Sequence, residues 1–452
     1  MNRNRYKQIL NIAWPLIIAN SFWNLQLTID RMFLGQFSTE ALGAAMAVMG
    51  VFWVPMALLQ GTSSYVTTFI AQYIGAGENE KVGEVTWNAI VIAVIGGVLF
   101  MSQNLMSAWF FKLIGHGESI QALEVQYFNS IAYSALPTAL VAVVSGFYTG
   151  LGHTKKIILI NLIGLLLNAI LDYVLIFGNF GFPKMGIAGA GYATAIATYG
   201  SALLGFYFLL KQENKLKYKF LLWQKLNFGL IKQFLKFGLP SGLQWALEGL
   251  AFTVFLIIMG RLPNGEVALA SSSIAVTVMM LSVLPSMGVA QAVMTLVGKH
   301  LGENKPDQAQ YATWSGVQVS LFYMSIVALS FILIPQFYMS WFENNNDFHL
   351  WSQVSQLTPQ LLKIVAIFTL LDSLYLNISF ALKGAGDTRF VSLVALTIPW
   401  PVMVIPTYLI KEWNHAVVWA WSFAALYSLI VASILYFRFR QGLWKTMSVI
   451  KV

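Results

Sequence analysis

Long apolar runs separated by short polar stretches dominate the chain. A membrane-crossing helix needs about 20 mainly apolar residues, and twelve runs reach that length. In the first half they cover 9–36, 42–75, 85–113, 121–150, 156–178 and 186–210; in the second, 234–261, 266–299, 309–341, 357–382, 389–411 and 414–437. The pattern predicts an all-α polytopic membrane protein of twelve transmembrane helices. Several runs exceed 25 residues, which implies tilt or extension beyond the hydrocarbon. The first run follows Met-Asn-Arg-Asn-Arg-Tyr-Lys and is too long for a signal-peptide core. It also lacks a small-residue cleavage site, so it reads as an uncleaved first span.

The two halves echo each other. Ile12-Ala13-Trp14-Pro15 is matched by Lys236-Phe237-Gly238-Leu239-Pro240, Leu34-Gly35 by Met259-Gly260, and Gly77-Glu78-Asn79 by Gly302-Glu303-Asn304, all at an offset of 225 residues. Gly150-Leu151-Gly152-His153-Thr154-Lys155 is matched by Gly384-Ala385-Gly386-Asp387-Thr388-Arg389 at an offset of 234. A constant register over this length marks an internal repeat. Six spans per repeat give parallel topology and pseudo-symmetric six-helix bundles related by an axis along the membrane normal, with a central cleft as the expected substrate path. The expected organisation is an N-terminal lobe over 1–210, a basic linker over 211–233 and a C-terminal lobe over 234–452. The linker reads as a solvated loop with a surface-lying helix. Pro15 and Pro240 occupy equivalent positions, and each removes a helical hydrogen bond and can kink its span.

Composition agrees with lipid as the main solvent: 58% of the 452 residues are hydrophobic and 10% charged. Cysteine is absent, so disulfides and thiolate metal sites are excluded. The net charge of +9 would suggest nucleic acid in a soluble protein. Here it follows from topology. With twelve spans, 21 Lys and Arg fall on the side of the termini and 6 on the other, the latter being Arg31, Lys112, Lys184, Arg261, Lys363 and Lys411. Such a bias places both termini in the cytoplasm. No phosphate-binding Gly-Lys-Ser/Thr loop occurs, and the five histidines map to loops or span edges, so neither nucleotide hydrolysis nor a histidine metal cluster is expected.

The acidic residues carry the candidate chemistry. Of eighteen, fourteen fall in loops or near span ends; Asp30, Asp172, Glu248 and Asp372 lie inside spans. A carboxylate at mid-membrane costs about 2.5–3.5 kcal/mol on insertion scales, so these four should face protein or an aqueous cavity. Asn161, Gly164, Asn168 and Asp172 fall within about 80° of one another on one helix face. A stripe of amide and carboxylate oxygens suits a small hard cation or a proton, or else interhelical hydrogen bonding. Asp30 is followed by Arg31, so a local ion pair near the span end is the competing reading. Glu248 has Gln244, Trp245 and Phe252 nearby, and Asp372 has Ser373, Tyr375 and Asn377. Carboxylates among aromatic rings can hold an organic cation.

Taken in order, Ile29-Asp30-Arg31-Met32-Phe33-Leu34-Gly35, Asn168-Ala169-Ile170-Leu171-Asp172-Tyr173, Gly186-Ile187-Ala188-Gly189-Ala190, Gly238-Leu239-Pro240 with Glu248, and Gly384 to Arg389 resemble the multidrug and toxic compound extrusion (MATE) family, in its bacterial NorM-like branch. The resemblance spans the whole chain. It implies a monomeric, non-enzymatic antiporter without cofactor that exports bulky, often cationic organic compounds by alternating access, driven by H+ or Na+. It places a cation-coupling site at Asp30, Asn168, Asp172 and Thr194, with Na+ held by the first three, a cation or substrate site at Glu248 and Asp372, and a hinge at Pro15. Arg31 stands where the family usually has a small or neutral residue. Phe368 replaces a tyrosine of some relatives, leaving the second site one oxygen short. The runner-up is a lipid or lipid-linked oligosaccharide flippase of the same superfamily, which would want cationic residues inside its cavity.

Overall fold

A computed structural model of the protein describes residues 2–114, 116–343, 348–410 and 412–450. Lys411 and Lys451, both in the charge count, lie outside the described residues, as does the side chain of Arg3. Twelve long helices are present among them: α1 Asn2–Phe37, α2 Thr39–Ala76, α3 Asn79–Ile114, α4 Glu118–Gly150, α5 Lys155–Phe177, α6 Gly186–Leu209, α7 Phe228–Met259, α8 Gly265–Gly302, α9 Pro306–Leu333, α10 His349–Ala385, α11 Thr388–Leu409 and α12 Ala416–Arg440. Eleven are long and apolar enough to cross a membrane by length and composition. The exception, α1, matches them in length but carries Asn11, Asn20, Asn24, Gln26 and Asp30. Those polar positions are where its functional reading begins.

Helix boundaries follow from local chemistry. Ser38 caps α2 by accepting from the Ala41 amide at 3.3 Å. Pro306 opens α9, where its missing N–H costs nothing. Gly178, at φ +76°, ends α5 in the left-handed conformation that a side chain would resist. Prolines 399, 401 and 406 break α11, and a π-helical turn at Trp400–Val404 absorbs the disruption.

The chain packs as two compact units. One comprises Ile18–Ala246, Gly298–Asn304 and Ser448–Val452; the other comprises Met1–Ile17, Leu247–Val297 and Lys305–Met447. The division passes through α1 two residues after Pro15 and through α7 six residues after Pro240. Each of these equivalent helices therefore serves both units. In the first unit a core forms from Phe52, Phe100, Phe111, Phe128 and Ile131 on α2, α3 and α4. In the second, Phe255, Phe331, Leu361, Val365 and Trp421 join α7, α9, α10 and α12. The outer surfaces are apolar, with Leu99, Ile170, Leu203, Ile326, Leu329 and Ile367 each more than half exposed. A soluble protein could not sustain such a surface, whereas a lipid-facing one requires it.

Two expectations are corrected. The linker is not simply solvated. Its short helix Gln212–Tyr218 leads to a fully buried Phe220, the Trp87 indole donates to the Gln224 carbonyl at 3.0 Å, and the Asn227 amide donates to the Asn88 side chain at 3.2 Å. Gly83 makes this docking possible, since a Cβ there would sit 2.4 Å from the Tyr218 carbonyl oxygen. Lys383, one of the 21 cations counted on the side of the termini and just past the expected span 357–382, lies in the last turn of α10 and is only 2% exposed, with its ammonium 4.0 Å from the centre of the Phe380 ring. A cation at a helix C-terminus is favoured by the helix dipole, so the position suits the charge despite its burial.

Candidate functional site

In the first unit, α1, α5 and α6 bring four of the expected residues together. Asp30, Asn168, Asp172 and Thr194 are 5%, 0%, 0% and 7% exposed. The Asn168 amide nitrogen donates to the Thr194 hydroxyl at 3.3 Å, and that hydroxyl donates to Asp30 Oδ2 at 3.4 Å. Small residues of α5 and α6 allow this approach. A Cβ at Gly189 would strike the Leu175 carbonyl, and Gly164 leaves room for Ser201.

The cluster has more acceptors than donors. Asp30 Oδ1, Asn168 Oδ1 and both oxygens of Asp172 are buried and accept no hydrogen bond among the described residues. The carboxyl groups of Asp30 and Asp172 lie within interaction range of each other. Two carboxylates have no proton to share, and their buried charge requires compensation. A proton or a small cation meets both needs. A void of about 20 Å³ lies beside Asp30, lined by Leu27, Leu34, Ala45, Met49, Arg31 and Tyr127 among others. It has room for one water or one bare ion.

The competing reading of Asp30, a surface pair with Arg31, is not what forms. Asp30 is buried, Arg31 is exposed, and no Asp30–Arg31 ion pair within 4 Å occurs among the described residues. Asn161 does not join the cluster. Its amide donates to the Ile157 carbonyl of its own helix at 2.9 Å. Tyr127 of α4, 4% exposed, does border it. Sequence alone did not single out that tyrosine, although Glu124, Gln126, Asn129 and Ser130 flank it. Glu124, one turn earlier, is fully buried although it lies near its span's end, and it pairs with His116 Nδ1 at 2.6 Å.

In the second unit the carboxylates have donors. The Tyr375 hydroxyl donates to Glu248 Oε1 in a short contact, and the Ser428 hydroxyl donates to Asp372 Oδ1 at 3.2 Å. Tyr375 supplies an oxygen where Phe368 does not; Phe368 packs against the apolar core. Serine and threonine hydroxyls line the neighbourhood, with Ser282 and Thr369 3.3 Å apart and Asn377 donating to Ser320 at 2.9 Å. Phe252 stacks on Phe255 at 5.7 Å between ring centroids, and Trp421 meets Phe255 edge-on at 5.9 Å. Gln244 and Trp245 belong to the first unit, so Glu248, Phe252, Asp372 and Tyr375 are the members that share one unit.

Family comparison joins these observations. The MatE family profile matches residues 15–174 and again 240–409. The chain belongs to the MatE family. The two matches begin at Pro15 and Pro240, equivalent prolines of the internal repeat, and are separated by its 225-residue offset. Relatives of this MATE chain include a probable multidrug resistance protein NorM of Thermotoga maritima, 25% identical over 98% of this chain and 94% of that one. The multidrug resistance protein PmpM of Pseudomonas aeruginosa is 27% identical over 88% of this chain and 83% of its own. Among solved structures, the outward-facing conformation of a multidrug resistance MATE family transporter of the MOP superfamily superposes with a TM-score of 0.87 at 21% identity, covering 98% and 97% of the two chains. The chain is thus a NorM-like MATE transporter, a multi-pass membrane protein and not an enzyme.

Proposed function

We propose that this transporter is a cation-coupled antiporter that exports bulky, often cationic organic compounds by alternating access. The acceptor-rich cluster of Asp30, Asn168, Asp172 and Thr194 carries the reading. Its four donorless buried oxygens require a proton or Na+, and a carboxylate that binds such an ion must release it when its surroundings change. The relatives' printed names, multidrug resistance proteins, support a wide organic substrate range. Glu248 and Asp372, set among Phe252, Tyr375 and hydroxyls, offer charge and aromatic faces to an organic cation. A lipid or lipid-linked oligosaccharide flippase would gain from a buried cation, and Lys383 is one. It sits at the end of α10, however, against Phe380, rather than near mid-span.

The test is transport in proteoliposomes. Efflux of a fluorescent organic cation is followed under an imposed proton gradient and, separately, an imposed sodium gradient. One gradient should drive transport. Response to neither would overturn ion-coupled export of that compound.

A further inference from the structure

At the loop-side end of α9 and α12, in the second unit, lies a recess of about 440 Å³ lined by Gln310, Trp314, Tyr436, Phe439, Arg440 and Lys445. We propose that this recess binds the headgroup of an anionic phospholipid, taking its phosphate between Arg440 and Lys445. The residues that carry the transport reading do not line it.

Four observations support the assignment. The first is depth. Tyr436 lies four residues before the end of α12 and Trp314 eight residues into α9. At about 1.5 Å per residue these rings lie roughly 6 and 12 Å inside the helix ends, where aromatic side chains meet lipid headgroups. The second is charge. The lining holds two cations and no carboxylate. Arg440 is exposed and forms no ion pair among the described residues. Lys445 is held 3.0 Å from Asp307 Oδ1, so its charge is already partly answered.

The third is rigidity. Trp314 contacts Tyr436 and Phe439 at 6.2 and 5.9 Å, both edge-on, and Phe439 stacks on Trp444 at 4.6 Å. Gly442, at φ +77°, turns the chain into the short helix Leu443–Thr446, and Gly442 and Lys445 both line the recess. The fourth removes an objection. The C-terminal carbonyls of α12 would repel an anion, but those of Phe437 and Phe439 are already occupied. The Gln441 amide donates to the Phe437 carbonyl at 3.0 Å, and the Gly442 amide and the Trp444 indole both donate to that of Phe439 at 3.1 and 2.8 Å. Cationic pockets between helix ends beside aromatic rings suit acidic headgroups. The volume fits a phosphoglycerol group and leaves the acyl chains on the lipid-facing side.

Native mass spectrometry of the full-length protein, titrated with phosphatidylglycerol or phosphatidylcholine, tests the proposal. The first phosphatidylglycerol should bind about tenfold or more tighter than phosphatidylcholine. R440Q should erase most of that preference, and R440Q with K445Q all of it. D307N, which frees Lys445, should strengthen binding. Because Arg440 has no ion pair to lose among the described residues, R440Q alone is informative even if the double variant misfolds. Equal affinity for the two lipids, a preference unchanged in R440Q, or weaker binding in D307N would each overturn the site. Displacement by equimolar inorganic phosphate would mark a free-anion site and also overturn the lipid assignment.

Discussion

At the residue scale, the hydroxyl of Thr194 is the hinge pin of the acceptor-rich cluster. It accepts from Asn168 and donates to Asp30. Removing it leaves Asp30 short of a partner and frees the Asn168 amide. A hydrogen bond of this kind contributes about 0.5–1.5 kcal/mol, so T194A should weaken the apparent affinity for the coupling ion about three- to tenfold. T194S keeps the hydroxyl and should restore it. Ion-dependence curves in proteoliposomes read both, and a failed rescue would place the effect on the methyl group instead. Arg31 acts in the opposite sense. It lines the void beside Asp30 without pairing to it, so its charge opposes an incoming cation at short range. R31A should lower the half-saturating ion concentration several-fold at low ionic strength. Because Arg31 is exposed, added inert salt should shrink the difference. No shift at low salt would show that its field does not reach the site. Carboxylates and amides are conspicuous on an apolar helix, which marked Asp30, Asn168 and Asp172 in the sequence, whereas Thr194 came only with the family resemblance. Tyr127 did not stand out because its flanking Gln126, Asn129 and Ser130 lie toward the start of a span and carry no charge, and only the fold brings its ring beside Asp30.

At the element scale, the twelve helices were legible because lipid imposes one rule on every span: about 20 apolar residues with backbone groups satisfied internally. What escaped notice depended on tertiary contacts. The linker reads as solvated from its lysines, yet Phe220 and Tyr218 are buried against the first unit. The sequence held one clue, Gly83, whose missing side chain admits the Tyr218 carbonyl. Lys383 misled for a related reason: a cation near a span end looks like a loop residue, and only packing reveals its burial. Pro15 is the element-scale position to test. It lies inside the 36-residue α1, two residues from the point where that helix passes from one packing unit to the other. Proline there removes a backbone hydrogen bond. P15A should restore it and raise thermal stability. If the proline serves as a hinge, transport in P15A should fall severalfold while the melting temperature rises. Unchanged transport in a stabilised variant would reduce Pro15 to a helix imperfection.

At the scale of the whole molecule, the repeat and the chemistry diverge. The family profile matches both halves, but at the 225-residue offset Asp30 aligns with Phe255 and Glu248 with Trp23. The scaffold is duplicated and the carboxylates are not. The structure sharpens this into a difference of kind. In the first unit the acidic cluster has unanswered acceptor oxygens, the condition for taking up a proton or a bare ion. In the second unit Glu248 and Asp372 accept from Tyr375 and Ser428, beside stacked aromatic rings. Such a carboxylate gains little from a small ion and more from a large cation that also covers the rings. The two units should therefore separate coupling from recognition. D172N should bind the organic cation with near-normal affinity in detergent yet lose most gradient-driven efflux, about tenfold or more if a pair of charges is essential to ion uptake. E248Q should instead weaken substrate binding, while substrate-free ion binding, read as proton release or sodium protection, stays intact. Both variants are near-isosteric, so insertion and oligomeric state should not change. If D172N and E248Q lose binding and coupling in equal measure, the two sites are one functional unit and the division of labour fails.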